Sequence, residues 1–168
     1  MIPGCGQSGF TRQRKVGALV GTYVTANPTT GTTDREFPGL KDDEVAGVAE
    51  RSLAAYQEWR ATEASERAAI LSRTADEYER RADELAAVIT TEMGKPAKEA
   101  AGEVQLAADI YRWYAEHGPD LLETEVLDPQ GADASIVQVA PIGPLVGVMP
   151  WNYPYYQVAR FVAPNLLA

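Results

Sequence analysis

The chain has 168 residues, 45% hydrophobic and 23% charged, which suits one domain or at most two small ones with a packed core and excludes wholesale disorder. A formal charge of −9, from 24 acids against 15 bases, argues against nucleic-acid binding. One cysteine, Cys5, and one histidine, His117, exclude a disulfide framework and Cys- or His-rich metal sites, and no apolar run reaches the ~18 residues of a membrane span.

Residues 1–21 read as a disordered or mis-started lead. Arg12, Arg14 and Lys15 precede an apolar run from Val16 to Val24 that is broken by Gly17 and Gly21. With no firm apolar centre and no small-x-small cleavage site this only weakly imitates a secretory signal, so a cytoplasmic location is expected. Gly4-Cys5-Gly6-Gln7-Ser8-Gly9 has the letters G-x-G-x-x-G, but only three residues precede it and no strand can carry it, so a dinucleotide site there is set aside. Tyr23–Ala26 and Arg35–Phe37 read as an antiparallel pair around the turn Asn27-Pro28-Thr29-Thr30-Gly31.

Three helices are predicted next, in a segment from Lys41 to Asp128 that holds 21 of the 24 acids, read as solvated helix faces. The first starts at Asp42 or Asp43 and carries the stripe Val45, Val48, Ala49, Leu53, Tyr56 and Trp59. The second runs from Ser65 to a Gly94-x-Pro96 stop, with Leu71, Ala75, Tyr78, Ala82, Leu85 and Ile89 on one face. The third begins at Pro96 or Ala97, carries Val104, Ala107, Tyr111 and Tyr114, and ends at Gly118-Pro119. His117 lies in its last turn, where a histidine complements the helix dipole. After Asp128-Pro129-Gln130-Gly131 the period changes. Ser135–Ala140 reads as a strand, Pro141-Ile142-Gly143-Pro144 as a turn, and Leu145–Met149 as a buried strand. A final apolar helix, Tyr155–Ala168, is entered through Pro154.

Two features there can carry chemistry. Pro150-Trp151-Asn152-Tyr153-Pro154 is a stiff turn at the end of an apolar run, since each proline fixes its own φ and biases its predecessor to extended backbone. Strand ends of this kind are where open α/β sheets bind ligands. Asn152 can donate its amide to a developing oxyanion or merely satisfy local backbone. Arg160, flanked by Val158, Ala159, Phe161 and Val162, reads as a buried guanidinium that takes either an internal carboxylate or an anionic substrate.

Thr25-Ala26-Asn27-Pro28-Thr29-Thr30-Gly31, Glu92-Met93-Gly94-Lys95-Pro96 and Pro141-x-Gly143-x-x-x-Gly147-Val148-Met149-Pro150-Trp151-Asn152-Tyr153-Pro154 occur in that order. Over Thr22–Ala168 the chain thereby resembles the N-terminal part of the NAD(P)-dependent aldehyde dehydrogenase superfamily. Tyr111–Glu116 and Val148–Ala168 look closest to its succinate-semialdehyde branch. The resemblance implies an α/β fold class, the helix-rich N-terminal part of a cofactor domain, truncated before the nucleotide-binding turn and the catalytic domain. It implies that Met149, Pro150, Trp151 and Asn152 lie beside the nicotinamide of NAD or NADP, that Asn152 helps hold the oxyanion, and that Arg160 binds the substrate carboxylate. It implies too that 135–140 begins the arm through which family homo-oligomers associate. The family's nucleophilic cysteine, general-base glutamate and cofactor-binding lysine lie beyond the matched segment, and Cys5 cannot stand in for that cysteine. The expectation is therefore an aldehyde-oxidising NAD(P)+ oxidoreductase by family, inactive as this chain alone. Two alternatives stand beside it. One is a split subunit complementing a C-terminal chain, suggested by the apolar helix end Phe161–Ala168, and the other is a non-catalytic helical interaction module.

Overall fold

The computed structural model describes residues 21–127, 131 and 135–168. The Gly4–Gly9 motif, Cys5, the basic residues near the start and most of the expected 1–21 lead lie outside them, as do Asp128–Gln130 and 132–134.

The first element is a hairpin, β1 (Thr22–Ala26) antiparallel to β2 (Thr33–Pro38), as expected. The Asn27 Oδ1 accepts from the Thr29 and Thr30 amides at 2.9 and 3.3 Å, so the turn is built by side-chain capture of backbone donors. Helix α1 (Asp42–Trp59) follows. Its N-cap is Lys41 rather than an aspartate, and the Glu44 carboxylate accepts the Lys41 amide at 2.8 Å. No residue of α1 is buried, although its apolar stripe predicts a core face; Val45 and Leu53 are about half exposed. Its C-terminal end meets the remainder, where Trp59 Nε1 donates to Leu166 O at 2.7 Å and the Tyr56 hydroxyl to Pro141 O at 3.3 Å.

The predicted second helix is two helices, α2 (Ala64–Arg80) and α3 (Ala82–Met93), separated at Arg81, whose backbone leaves the α region at φ −104°, ψ 18°. The bend lets one apolar stripe follow two stretches of the next helix. Ala68, Leu71 and Ala75 of α2 pack against Ala107 and Tyr111, whereas Ala86 and Ile89 of α3 pack against Ala100 and Val104. Helix α3 ends where expected, with Gly94 at φ 76°, a left-handed C-cap that side-chain-bearing residues rarely adopt.

Helix α4 (Ala97–Leu121) runs past the stop expected at Gly118-Pro119. Pro119 cannot give the i→i−4 hydrogen bond to Ala115 and its ring crowds that carbonyl, yet α4 continues through it. Gly118 lets α4 press against the last helix, since a Cβ there would collide with the Leu167 side chain. A short pair follows, β3 (Glu125–Leu127) antiparallel to β4 (Ser135–Val137); β4 is shorter than the predicted 135–140 strand, and β3 is unheralded in the sequence. Leu145–Met149 is not a buried strand. Among the described residues no strand pairs with it, and Val146 and Val148 are 91% and 90% exposed. A parallel-type strand takes its identity from neighbours, which this segment lacks here.

Helix α5 (Pro154–Leu167) closes the fold against α2 and α4. Its Ala159, Ala163 and Leu167 are buried, so the apolar helix end read as wanting a partner has one within the chain. Most of the buried core is alanine, which lets the three helices approach closely, and Tyr78 and Tyr155 stack edge-on at 5.7 Å between its two parts. No helix among the described residues is long and apolar enough to cross a membrane.

Burial of the Tyr111 ring holds its hydroxyl neutral and pushes its pKa from 10 up to about 12, helped by the nearby Tyr78. The neutral phenol is then worth most to the folded state below pH 10. Above it the unfolded chain ionises first, and stability falls as the pH climbs toward 12. Urea unfolding across that range should show this loss, and Tyr111→Phe should make it shallower. An equal slope for both proteins would contradict the assignment.

Candidate functional site

Two corners of the fold meet at the turn Pro150–Pro154. The first is the α3–α4 junction. Lys95 directly follows the Gly94 cap, and Glu103 lies two turns into α4, on the same face as Ala100, Val104 and Ala107. Their side chains are 5% and 0% exposed and form a direct ion pair, Lys95 Nζ to Glu103 Oε2. The second corner is the start of α5. Its first amides have no intrahelical acceptor, and the other oxygen of the same carboxylate, Glu103 Oε1, accepts from the Tyr155 and Tyr156 amides at 2.9 and 3.3 Å. A carboxylate at a helix N-terminus also meets the positive end of the helix dipole. At the far end of α5, the buried Arg67 Nε donates to Leu167 O at 2.7 Å, so neighbouring helices supply complementary charge to both ends.

Lys95 makes two further contacts. Its ammonium lies 3.4 Å from the centre of the Tyr153 ring and 3.4 Å from Asn152 O. The turn is thereby held on its α5 side by Glu103 and from beneath by Lys95. On its other side, from Ile142 to Val148, the chain is largely exposed and unpaired among the described residues.

Of the predicted site residues, Met149, Pro150, Trp151 and Asn152 lie at this turn and Arg160 lies further along α5. Met149 is half-buried, while Pro150, Trp151 and Asn152 are exposed, with Trp151 at 77%. Beside Trp151 opens a cleft of about 420 Å³ lined by Thr25, Glu92, Met93, Pro154 and Tyr155, among others. Arg160 is not the buried guanidinium that its apolar neighbours suggest. The buried positions 159, 163 and 167 mark the inner face of α5, and Arg160 lies off that face and exposed. It touches its own helix through Tyr156, 3.5 Å from the hydroxyl and 5.5 Å from the ring centre, and has no carboxylate partner among the described residues. Because α4 runs on to Leu121, His117 does not lie in its last turn as expected; it stacks on Trp113 at 4.8 Å, with Nδ1 3.0 Å from Trp113 O.

The sequence reading missed Lys95 and Glu103, and the signal was there. Ala100, Glu103, Val104, Ala107 and Tyr111 share one helical face, and a carboxylate on an apolar stripe requires a partner.

The sequence profile described as the aldehyde dehydrogenase family matches residues 17–168. The NADP(+) succinate-semialdehyde dehydrogenase of Deinococcus radiodurans is 48% identical over 145 residues, covering 86% of this chain and 30% of that protein. Succinate-semialdehyde dehydrogenase from Burkholderia pseudomallei superposes with a TM-score of 0.81 at 38% identity, over 88% of this chain and 31% of the other. The Streptococcus pyogenes succinic semialdehyde dehydrogenase, solved with NADP+ as the cofactor, gives 0.76 at 34% identity, over 86% and 32%. The chain spans about a third of the length of the curated relatives it matches.

Proposed function

The chain belongs to the aldehyde dehydrogenase family, and we propose that it serves an NADP+-dependent oxidation of succinate semialdehyde to succinate, to which it contributes the oxyanion donor, the nicotinamide-side turn and the carboxylate-binding arginine. The observation that carries this reading is the turn itself. Asn152 and Trp151 stand exposed on a turn fastened to two helices, and an arginine without a carboxylate partner among the described residues lies two helical turns further along α5.

The residues fit a nicotinamide. Trp151 offers an exposed flat apolar ring, and Met149–Asn152 has no strand partner among the described residues, which leaves most of its backbone groups to a ligand. NADP+, when bound, supplies the acceptor for the hydride that leaves the aldehyde carbon. The Asn152 amide donates to the oxygen on that carbon as its negative charge grows. The Arg160 guanidinium, always charged and forked, matches the carboxylate at the other end of a short acidic aldehyde and sets which end faces the turn. The thiolate nucleophile is not among these residues: the one cysteine, Cys5, precedes the segment that matches the family.

The test is a chimera in which 22–168 replaces the corresponding segment of the Deinococcus radiodurans relative. It should reduce NADP+ with succinate semialdehyde. Arg160→Ala should raise KM for that substrate roughly ten- to hundredfold, the value of a hydrogen bond to a charged group, and leave an uncharged aldehyde nearly unaffected. Equal losses on both aldehydes would remove Arg160 from carboxylate recognition, and an inactive folded chimera would count against the reading as a whole.

A second reading has its own observation. Ile142, Val146 and Val148 are each about nine-tenths exposed, an apolar edge that a complementing chain would cover. Co-expression with a separate chain carrying the rest of the fold would then restore activity without fusion.

A further inference from the structure

We propose that Lys95 and Glu103 are positioning residues for Asn152: together they fix the turn that presents its amide, and they do so from the α3–α4 corner. This rests on the oxyanion role proposed above. Neither side chain reaches the open side of the turn, so they act through what they hold.

The contacts divide the work. Glu103 uses both oxygens, one on Lys95 and one on the amides of Tyr155 and Tyr156. The start of α5 is thus set against α4 by a charged acceptor rather than by packing alone. Lys95 uses its ammonium on Glu103, on the Asn152 carbonyl and on the Tyr153 ring. Residues 152, 153, 155 and 156, on both sides of Pro154, are therefore tied to one buried ion pair. The segment leading into the turn has no comparable hold, since Ile142, Val146 and Val148 project into the open among the described residues. The direction of the Asn152 peptide is consequently fixed from its C-terminal side. Apolar residues of similar volume often replace a buried ion pair without loss of stability. Here they would leave the two α5 amides and the Asn152 carbonyl without partners, which gives the pair a role beyond packing.

Amide hydrogen exchange and side-chain amide spectra of the 168-residue chain test this without any catalysis. Glu103→Ala should accelerate exchange at Tyr155 and Tyr156 roughly ten- to hundredfold beyond the general acceleration that the loss of stability gives Val104, Ala107 and Tyr111 in α4. Glu103→Gln, which keeps an acceptor oxygen, should restore much of that protection. Lys95→Met should move the Asn152 side-chain amide signals while leaving the α4 amides slow. If Glu103→Ala does not fold, the double variant K95M/E103Q, which buries no unpaired charge, serves instead: it should keep the Tyr155 amide slow yet shift the Asn152 signals. Uniform acceleration across α4 and α5 would reduce the pair to a stabilising element, and unmoved Asn152 signals in Lys95→Met and in the double variant would overturn the proposal. An inactive chimera with this exchange pattern intact would instead fault the proposed reaction and leave the positioning of the turn standing.

Discussion

Replacing Glu103 with alanine is expected to destabilise the chain by about 3–5 kcal/mol, the cost of leaving one charge of a buried pair without its partner. Lys95 is 5% exposed and would keep its ammonium beneath the Tyr153 ring with no carboxylate to meet it. The Tyr155 and Tyr156 amides would lose their acceptor at the same time. Urea unfolding of Glu103→Ala, Lys95→Met and K95M/E103A measures the coupling. The double variant should lose much less than the two single losses added together, because it removes the stranded charge along with its partner. Additive losses, or a loss below about 1 kcal/mol for Glu103→Ala, the range of exposed pairs, would show that the carboxylate is not held as described. Arg112 provides the contrast. It bonds Asp76 and Glu79 at 2.9 Å each, yet both acids are well exposed, so that network is open to screening by salt.

The second large effect is on chemistry. In the chimera, Asn152→Ala should lower kcat by about 10²–10³-fold, the loss measured when one oxyanion donor is removed elsewhere. The loss should fall on kcat more than on KM, since the amide bonds an oxygen whose charge is fully developed only in the transition state. Asn152→Asp should be at least as damaging, because a carboxylate places a negative charge where a donor is required. A decrease below about threefold for Asn152→Ala would contradict a donor worth several kcal/mol in the transition state. Asn152 is suited to such a role by where it stands. Its side chain is exposed on the turn while its carbonyl is anchored by Lys95, so the backbone is fixed and the amide remains available.

How much of this was legible in the sequence depends on how local the cause is. The hairpin was legible because Asn27 makes its own turn through hydrogen bonds two and three residues away. The end of α3 was legible because Gly94 takes a conformation that glycine adopts most readily. The break at Arg81 was not, since no Gly or Pro marks it and it accompanies the packing of α2 and α3 on different stretches of α4, which only the tertiary fold determines. Leu145–Met149 has the composition of a buried strand, but a strand exists only with a partner, and composition does not supply one. The reading of Arg160 as buried looked to its neighbours in sequence, whereas burial in a helix follows positions four apart, here 159, 163 and 167.

The turn from Pro150 to Pro154 stood out in the sequence as stiff, and what holds it did not. Each proline announces stiffness by its own chemistry. Lys95 and Glu103 lie 57 and 49 residues before Asn152, in a segment rich in charge, and nothing in their spacing relates them to it. The place of Glu103 on the apolar face of α4 was the sign that set it apart from the solvated charges around it.

The most direct test of the central claim uses the purified 168-residue chain with succinate semialdehyde and NADP+, following NADPH by its absorbance. The chain carries the proposed oxyanion donor and carboxylate-binding arginine, while its one thiol, Cys5, lies outside the segment that matches the family. No NADPH should form above the protein-free rate. Clear turnover by the chain alone would contradict the account, because a nucleophile would then have to exist where none has been assigned.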